Sequence, residues 1–435
     1  MKTCLRNARV VLADEVLDKA DVVSEDGVIT AINPESTIAD DVIDLNNQWL
    51  MPGMIDLHCD ALEKEVEPRP NVHFPLDFAC AQADKRNAAA GITTVYHALS
   101  FANDELGVRN NAFAARIVRA VHEWHPHGLV DNRVHCRYEI TDESGLPILE
   151  SLLQQKSMHL ISMMDHTPGR GQFKDMAAYQ NYLTLTYEKT ADEVEAIIER
   201  KIEAVRGAFA RMQELANAAH AAGISVASHD DDSAERVFTM SGIGADISEF
   251  PMTLEAAKAA KAAGMSTIFG APNILRGKSQ SGSMKAIEAI HEGVADCLCA
   301  DYTPAALIVA VMKISEGSDL DLPAAVRLVT TNPAKAGKLH DRGQIQVGAR
   351  ADLIAVGQPG GLPQVTRVWS GGKQAYAVQS TMAEMFHGFS VKRCWQLNPY
   401  LEPAQGPSRI GKAPLSWHPR RTTSSPALSP SAIRR

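Results

Sequence analysis

Eight short apolar runs recur through the middle of this chain: "GMIDLH", "GITTVYHAL", "NRVHCRYEI", "MHLISMMDH", "ISVASHD", "ADISEFP", "STIFGAP" and "ADCLCAD". None is long enough for a buried helix of ordinary length, and near-continuous apolarity is what parallel strands covered on both faces require. Several are separated by helical stretches. The clearest, "TADEVEAIIERKIEAVRGAFARMQELANAAHAAG", has a capping box at Thr190 and Glu193 and a stop at Gly223, and "TLEAAKAAKAAG" stops the same way at Gly264. Strands alternating with helices specify an α/β fold, and eight of them fit a (β/α)8 TIM-type barrel.

The two ends differ from this middle. "ARVVLA" and "ADVVSEDGVITAI", the latter around an Asp-Gly turn, read as short strands near the N-terminus. Late in the chain, "GQIQVGARADLIAV" sets Gly348 between two strand-like runs, and "TRVWSGGKQAYAV" reads as a hairpin about Gly371-Gly372. The expected division is residues 1–50 plus 343–380 as one composite β-sandwich domain, 51–342 as the barrel, and 381–435 as a disordered tail. That tail is rich in Pro, Ser and Arg and lacks periodicity.

Composition narrows the function classes. Hydrophobic residues at 45% and charged ones at 22% describe an ordinary soluble protein. The N-terminus lacks a signal-like apolar core, and no run approaches the length of a membrane span. Seven cysteines form no CxxC pair, so reduced thiols in a cytoplasmic protein are expected. Six Lys/Arg against one Glu in residues 401–435 contribute +5 to a net charge of −9, which leaves −14 on the first 400. An acidic body argues against nucleic acid as a partner; no membrane partner is expected, and homo-oligomerisation is left open.

Candidate ligands stand at the C-terminal ends of the apolar runs, where barrel enzymes keep their active sites. His58 and Asp60 follow "MID", Glu139 follows "VHCRY", His166 follows "LISMMD", His229 follows "ISVAS" and Asp301 follows "CLCA". One strand-end histidine is more often structural, but five strand ends bearing such groups favour a metal site. Imidazoles mixed with carboxylates suit one or two divalent ions, zinc first, manganese or iron as alternatives. Three basic loops, carrying Arg69 with His73, Arg170 with Lys174, and Arg276, Lys278 and Ser279 among glycines, are expected to bind an anionic substrate. No GxxxxGK[ST] phosphate loop is present.

Other polar groups have blander readings. His97 divides evenly between support of the site and plain packing. His122, His125 and His127 close a helix, where such residues are favoured electrostatically. Asp230 is a plausible orienting partner for His229, whereas Asp231 and Asp232 are expected in solvent. Cys59 reads as a small filler, and Cys297 and Cys299 as core.

"MPGMIDLH", the strand-end histidines, a last strand ending in Asp and "GARADLIAV" together resemble the amidohydrolase superfamily, and "EKEVEPRPNVHFPLD", "MDHTPGRGQF", "SEFPMTLEAA" and "GAPNILRGKSQSG" resemble its phosphonate-metabolism branch. The resemblance covers roughly residues 1–378. It implies a metal-centred barrel with a small β-sandwich domain, and hydrolysis of α-D-ribose 1-methylphosphonate 5-triphosphate with release of pyrophosphate. It also implies roles: His58 and Asp60 as the first-strand pair (HxD where many relatives have HxH), Glu139 at a bridging position often held by a carboxylated lysine, His166 and His229 on a second metal, and Asp301 as the last-strand aspartate and proton acceptor. Cys59 stands where a glycine is expected. The rival readings are an enzyme acting on a cyclic amide or amino-purine, which would not need three basic loops, and a metal-free scaffold, which would be expected to have lost ligands.

Overall fold

A computed structural model describes residues 1–103, 109–169, 176–187, 190–279 and 283–378. Arg170 and Lys174, and the segment 381–435, lie outside the described residues.

Eight parallel strands form the central sheet: β6 (Met54–Cys59), β7 (Ile92–Phe101), β8 (Asp131–Glu139), β9 (Leu160–Met164), β10 (Ser225–His229), β11 (Ile247–Glu249), β12 (Ser266–Gly270) and β13 (Cys297–Cys299). They pair in chain order, and each corresponds to one of the apolar runs. The first and last strands meet through a parallel bridge between Cys59 and Asp301. There Asp301 N–H donates to the His58 carbonyl at 3.0 Å and Asp60 N–H to the Asp301 carbonyl at 2.8 Å. The sheet is therefore a TIM-type barrel.

Its interior is packed by Ile55, Leu57, Tyr96, Leu160, Ile247 and Ile268 together with Cys297 and Cys299, confirming both cysteines as core. The helix Thr331–Ala336 contributes Ala334 and Ala336 to this cluster. A wider apolar layer, including Leu99, Val118, Leu149, Met163 and Leu215, joins the strands to the surrounding helices. No helix of the described residues is long and apolar enough to cross a membrane.

The second sheet combines both ends of the chain: β1 (Lys2–Val11), β2 (Val16–Glu25), β3 (Val28–Ile32), β4 (Asp41–Asp44) and β5 (Trp49–Pro52) with β14 (Leu353–Gly357), β15 (Gln364–Ser370) and β16 (Lys373–Ala377). Its pairing is antiparallel except where β4 and β5 flank β1. Asp26 and Gly27 turn the hairpin between β2 and β3, and Gly371 and Gly372 turn that between β15 and β16, all at positive φ. Of the two strand-like runs about Gly348, only the second is a strand. The first is not a strand, and the turn after it bonds to β3, with Gly348 N–H donating to the Ile29 carbonyl and Ile29 N–H to the Ala349 carbonyl, both at 2.9 Å.

The long helical stretch is two helices rather than one. Ala191–Ala204 starts with the expected capping box, Val205–Gly207 is a 3-10 turn, and Ala208–Ala221 follows. Gly207 weakens the middle, and Arg211 Nη2 takes the Ala204 carbonyl at 2.7 Å, diverting an acceptor from the helical ladder.

Candidate metal centre

The barrel strands end in an unusual backbone conformation. Asp230, Phe250 and Asp301, each just past a strand, adopt φ of 55°, 52° and 55°. Positive φ is uncommon for a side-chain-bearing residue and costs of order 1–3 kcal/mol at sparsely populated positions. Inter-strand bonds hold these turns: Asp230 N–H donates to the Glu249 carbonyl and Phe250 N–H to that of Ile268, both at 2.9 Å. The turns lift the chain off the sheet beside the side chains that matter.

His58, His229 and Glu249 form the metal-compatible group, with one ligand atom from each lying within 4.8 Å of the others and all three residues buried. His58 Nδ1 is 3.1 Å from Glu249 Oε1, and its Nε2 is 3.4 Å from Asp60 Oδ1. His135, fully buried, supports them from below: its ring meets that of His58 edge-on at 5.2 Å, and its nitrogens bond the Leu57 carbonyl and Ser162 Oγ. The Phe250 ring lies against both histidines, 5.0 Å from His58 and 5.4 Å from His229.

Electrostatics follow from burial opposed by neighbours. Burial pushes the His58 imidazole down, but Glu249 and Asp60 on either side override it and raise its pKa to about 10. Burial pushes Glu249 up, and His135 and His58 bring it down to about 2. Asp56, two residues before His58, is pushed up to about 7 by burial, although its Oδ1 accepts the His58 and Ala300 N–H groups. Asp301 is raised by burial and by the Asp60 carboxylate.

Of the residues expected to ligate metal, His58, Asp60, His229 and Asp301 are drawn together by the barrel closure and by Arg137. The Arg137 guanidinium reaches Asp60 Oδ1 at 3.3 Å and His229 Nε2 at 3.3 Å. Glu139 and His166 make a pair of their own, Oε2 to Nδ1 at 3.0 Å, with Glu139 Oε1 accepting the Thr141 hydroxyl and amide. Burial raises Glu139, and His166 more than offsets it, leaving the carboxyl below its ordinary value. Asp230 Oδ2 stands 3.2 Å from His229 Nδ1, a nitrogen that has no hydrogen-bond partner among the described residues.

Two expectations, for His97 and Asp231, need correcting. His97 does not face this cup. Its Nε2 is 2.9 Å from Asn132 Oδ1, whose amide donates to Asp84 on the helix Leu76–Ala90, so it packs between barrel and helices. Asp231 is fully buried, accepting the Ser228 and Ser248 hydroxyls, and ties β10 to β11. Arg69 and His73 lie exposed on the loop after the helix Ala61–Val66, where His73 approaches Glu67 at 3.8 Å and the Phe113 ring at 5.7 Å. Arg276 and Lys278 are likewise exposed, and Ser279 Oγ bonds Ser283 Oγ at 2.6 Å. Arg276 ends the helix Ala271–Arg276, and Lys278 and Ser279 follow it.

Two residues escaped the sequence reading. Glu249 ends β11, within the run "ADISEF", and obeys the strand-end rule that selected the others. Arg137 lies two residues before Glu139 and so shares its face of β8.

A divalent cation fits this donor set. Glu249 Oε2 is buried without a hydrogen-bond partner among the described residues, and imidazoles with carboxylates suit borderline metals.

Comparison with known proteins agrees with this geometry. A model of the amidohydrolase family matches residues 49–394. The α-D-ribose 1-methylphosphonate 5-triphosphate diphosphatase of Escherichia coli (strain K12) is 34% identical over 377 residues, 86% of this chain and 100% of the relative. A dihydroorotase from Pediococcus pentosaceus is 48% identical over 59 residues, only 13% of this chain. Among solved structures, N-acetyl-D-glucosamine-6-phosphate deacetylase from Mycobacterium smegmatis superposes with a TM-score of 0.59 at 16% identity, covering 86% of this chain and 99% of that one. A Xaa-Pro dipeptidase does so with a TM-score of 0.59, covering 87% and 100%. At such identity these two speak for the fold alone. The family model and the full-length relative, meeting a barrel whose strand ends converge on a metal-compatible cup, establish that this chain belongs to the amidohydrolase family.

Proposed function

We propose that the chain is a metal-dependent diphosphatase that hydrolyses α-D-ribose 1-methylphosphonate 5-triphosphate and releases pyrophosphate, in phosphonate metabolism by the carbon–phosphorus lyase route. The observation that carries the reading is the match along the whole length of the E. coli diphosphatase. His58, His229 and Glu249 would hold a divalent ion, zinc by preference, and Asp60, Asp301, Glu139 and His166 would complete one or two ion positions. A divalent ion bound there supplies Lewis-acid activation of water at neutral pH.

The chain's own groups do the rest. Asp301, raised by burial and the Asp60 charge, accepts the proton of the attacking water. Asp230 orients His229 through Nδ1. The new oxygen–phosphorus bond forms as the phosphoanhydride bond breaks, and Arg69, Arg170, Arg276 and Lys278 would neutralise the leaving pyrophosphate, with His73 and Ser279 as further contacts. Six described cysteines are buried and unpaired, which supports a reducing cytoplasmic setting.

Phosphorus NMR of the zinc- or manganese-loaded protein with the ribosyl triphosphate tests the reading, the expected product being pyrophosphate. Turnover of a cyclic amide such as dihydroorotate, with the triphosphate untouched, would overturn it. Asp301→Asn should keep fold and metal while lowering turnover by about 100-fold or more. A near-normal rate would remove Asp301 as the base.

A further inference from the structure

The hydrolysis described above leaves Arg137 unused, although it stands at the centre of the cup. It is 7% exposed and shares the inner face of β8 with His135 and Glu139. Nη1 donates to Asp60 Oδ1 and Oδ2 at 3.3 and 3.5 Å, and Nη2 lies 3.3 Å from His229 Nε2. Nε is buried without a hydrogen-bond partner among the described residues.

A guanidinium only donates, so His229 Nε2 is the accepting, proton-free nitrogen. The other nitrogen, Nδ1, stands 3.2 Å from Asp230 Oδ2, within ion-pair distance though without hydrogen-bond geometry. A proton-free Nε2 is the tautomer in which that nitrogen can ligate a metal. The lone pair a cation would take is therefore the one Arg137 now engages.

Giving that lone pair to a cation strands the Nη2 N–H beside the already partnerless Nε–H. The guanidinium cannot shed its charge, and unmet donors in a buried place are costly. Those two N–H groups form one edge of a planar fork that matches two oxygens of a phosphoryl group. We propose that Arg137 is a substrate-binding residue that takes an anionic oxygen of the substrate once a divalent cation has claimed His229. This rests on the reading of a phosphorylated substrate and sharpens it. Arg69, Arg276 and Lys278 are exposed, whereas Arg137 is rooted on a barrel strand and selects for negative charge beside the cation itself.

The test compares wild type, R137Q and R137K by calorimetry, first for Mn2+ alone and then for inorganic phosphate on the Mn2+-loaded protein. R137Q is expected to bind Mn2+ at least threefold more tightly, because no guanidinium must be displaced, and phosphate at least tenfold more weakly. R137K, with charge but no fork, should fall between them. Phosphate binding by R137Q within twofold of wild type would overturn the proposal, as would a wild type that binds no phosphate. If melting shows R137Q misfolded, R137K decides, and wild-type phosphate affinity in that variant overturns the proposal equally. Turnover of the ribosyl triphosphate is measured separately: a protein that binds phosphate through Arg137 yet leaves that compound intact loses the diphosphatase reading and keeps this one.

Discussion

Glu249 is the residue on which the metal centre turns. Its carboxylate is the acidic member of the buried three-residue group, and one of its oxygens has no hydrogen-bond partner among the described residues. Glu249→Gln keeps the shape and removes the charge that pairs with His58. Losing even an outer partner of a metal site typically costs 10- to 100-fold in affinity, so this change should weaken Zn2+ or Mn2+ binding by at least about 10-fold. Metal content after dialysis against a graded chelator measures it, and unchanged retention would remove Glu249 from the site. In the sequence, His58, His229 and Asp301 were visible because His and Asp at strand ends attract notice. Glu249 met the same positional rule, but its run ends "SEFP", where the glutamate passes for strand polarity. Asp231 was misplaced for a related reason: "HDDD" looks like a solvated acidic loop, and only the approach of Ser228 and Ser248 makes burial of its second carboxylate affordable.

At the scale of elements, the strands were the most legible part, since parallel strands buried on both faces must be apolar throughout. What local pattern could not show was the break near Gly207, because it depends on the Arg211 side chain reaching back to the Ala204 carbonyl. Nor could it show that the run before Gly348 is not a strand and that the turn after it bonds to β3. The capping box of the helix Ala191–Ala204 was legible and is present in full: Glu193 N–H donates to Thr190 Oγ1, and the Thr190 N–H donates to the Glu193 carboxylate at 2.8 Å. Thr190→Ala should cost about 1 kcal/mol of local stability. Amide exchange in the first turns of that helix should quicken about fivefold if opening is local, with catalysis unaffected. Unchanged exchange would mean that packing of Val194 and Ile198, not the cap, holds the helix start.

Across the whole molecule, the end of the barrel opposite the site carries its own polar network, which joins barrel to end sheet. Arg342 Nη1 donates to Asp131 at 2.7 Å and to Thr94 at 3.0 Å, and stands 3.9 Å from Asp352, the residue before β14. Arg133 also binds Asp131, at 3.0 Å. His159, next to these groups, accepts the Val134 N–H at Nδ1, 3.2 Å away. Burial and the nearby Arg133 charge lower its pKa from 6.5 to about 4. The folded protein therefore requires a neutral ring there. Above pH 6.5 the ring is neutral in folded and unfolded chains alike, and the full stability is present. As pH falls from 6.5 toward 4 the unfolded chain binds the proton first, so stability drops, by about 2–3 kcal/mol near pH 4.5, and the loss levels off below 4. His159→Asn keeps an acceptor for Val134 and cannot titrate. Urea unfolding at pH 7.5 and pH 4.5 should thus show a smaller acid loss in the variant by roughly that amount. An equal loss in both proteins would mean that the acid sensitivity of the fold lies elsewhere, with the carboxylates around Arg342 as the next groups to examine.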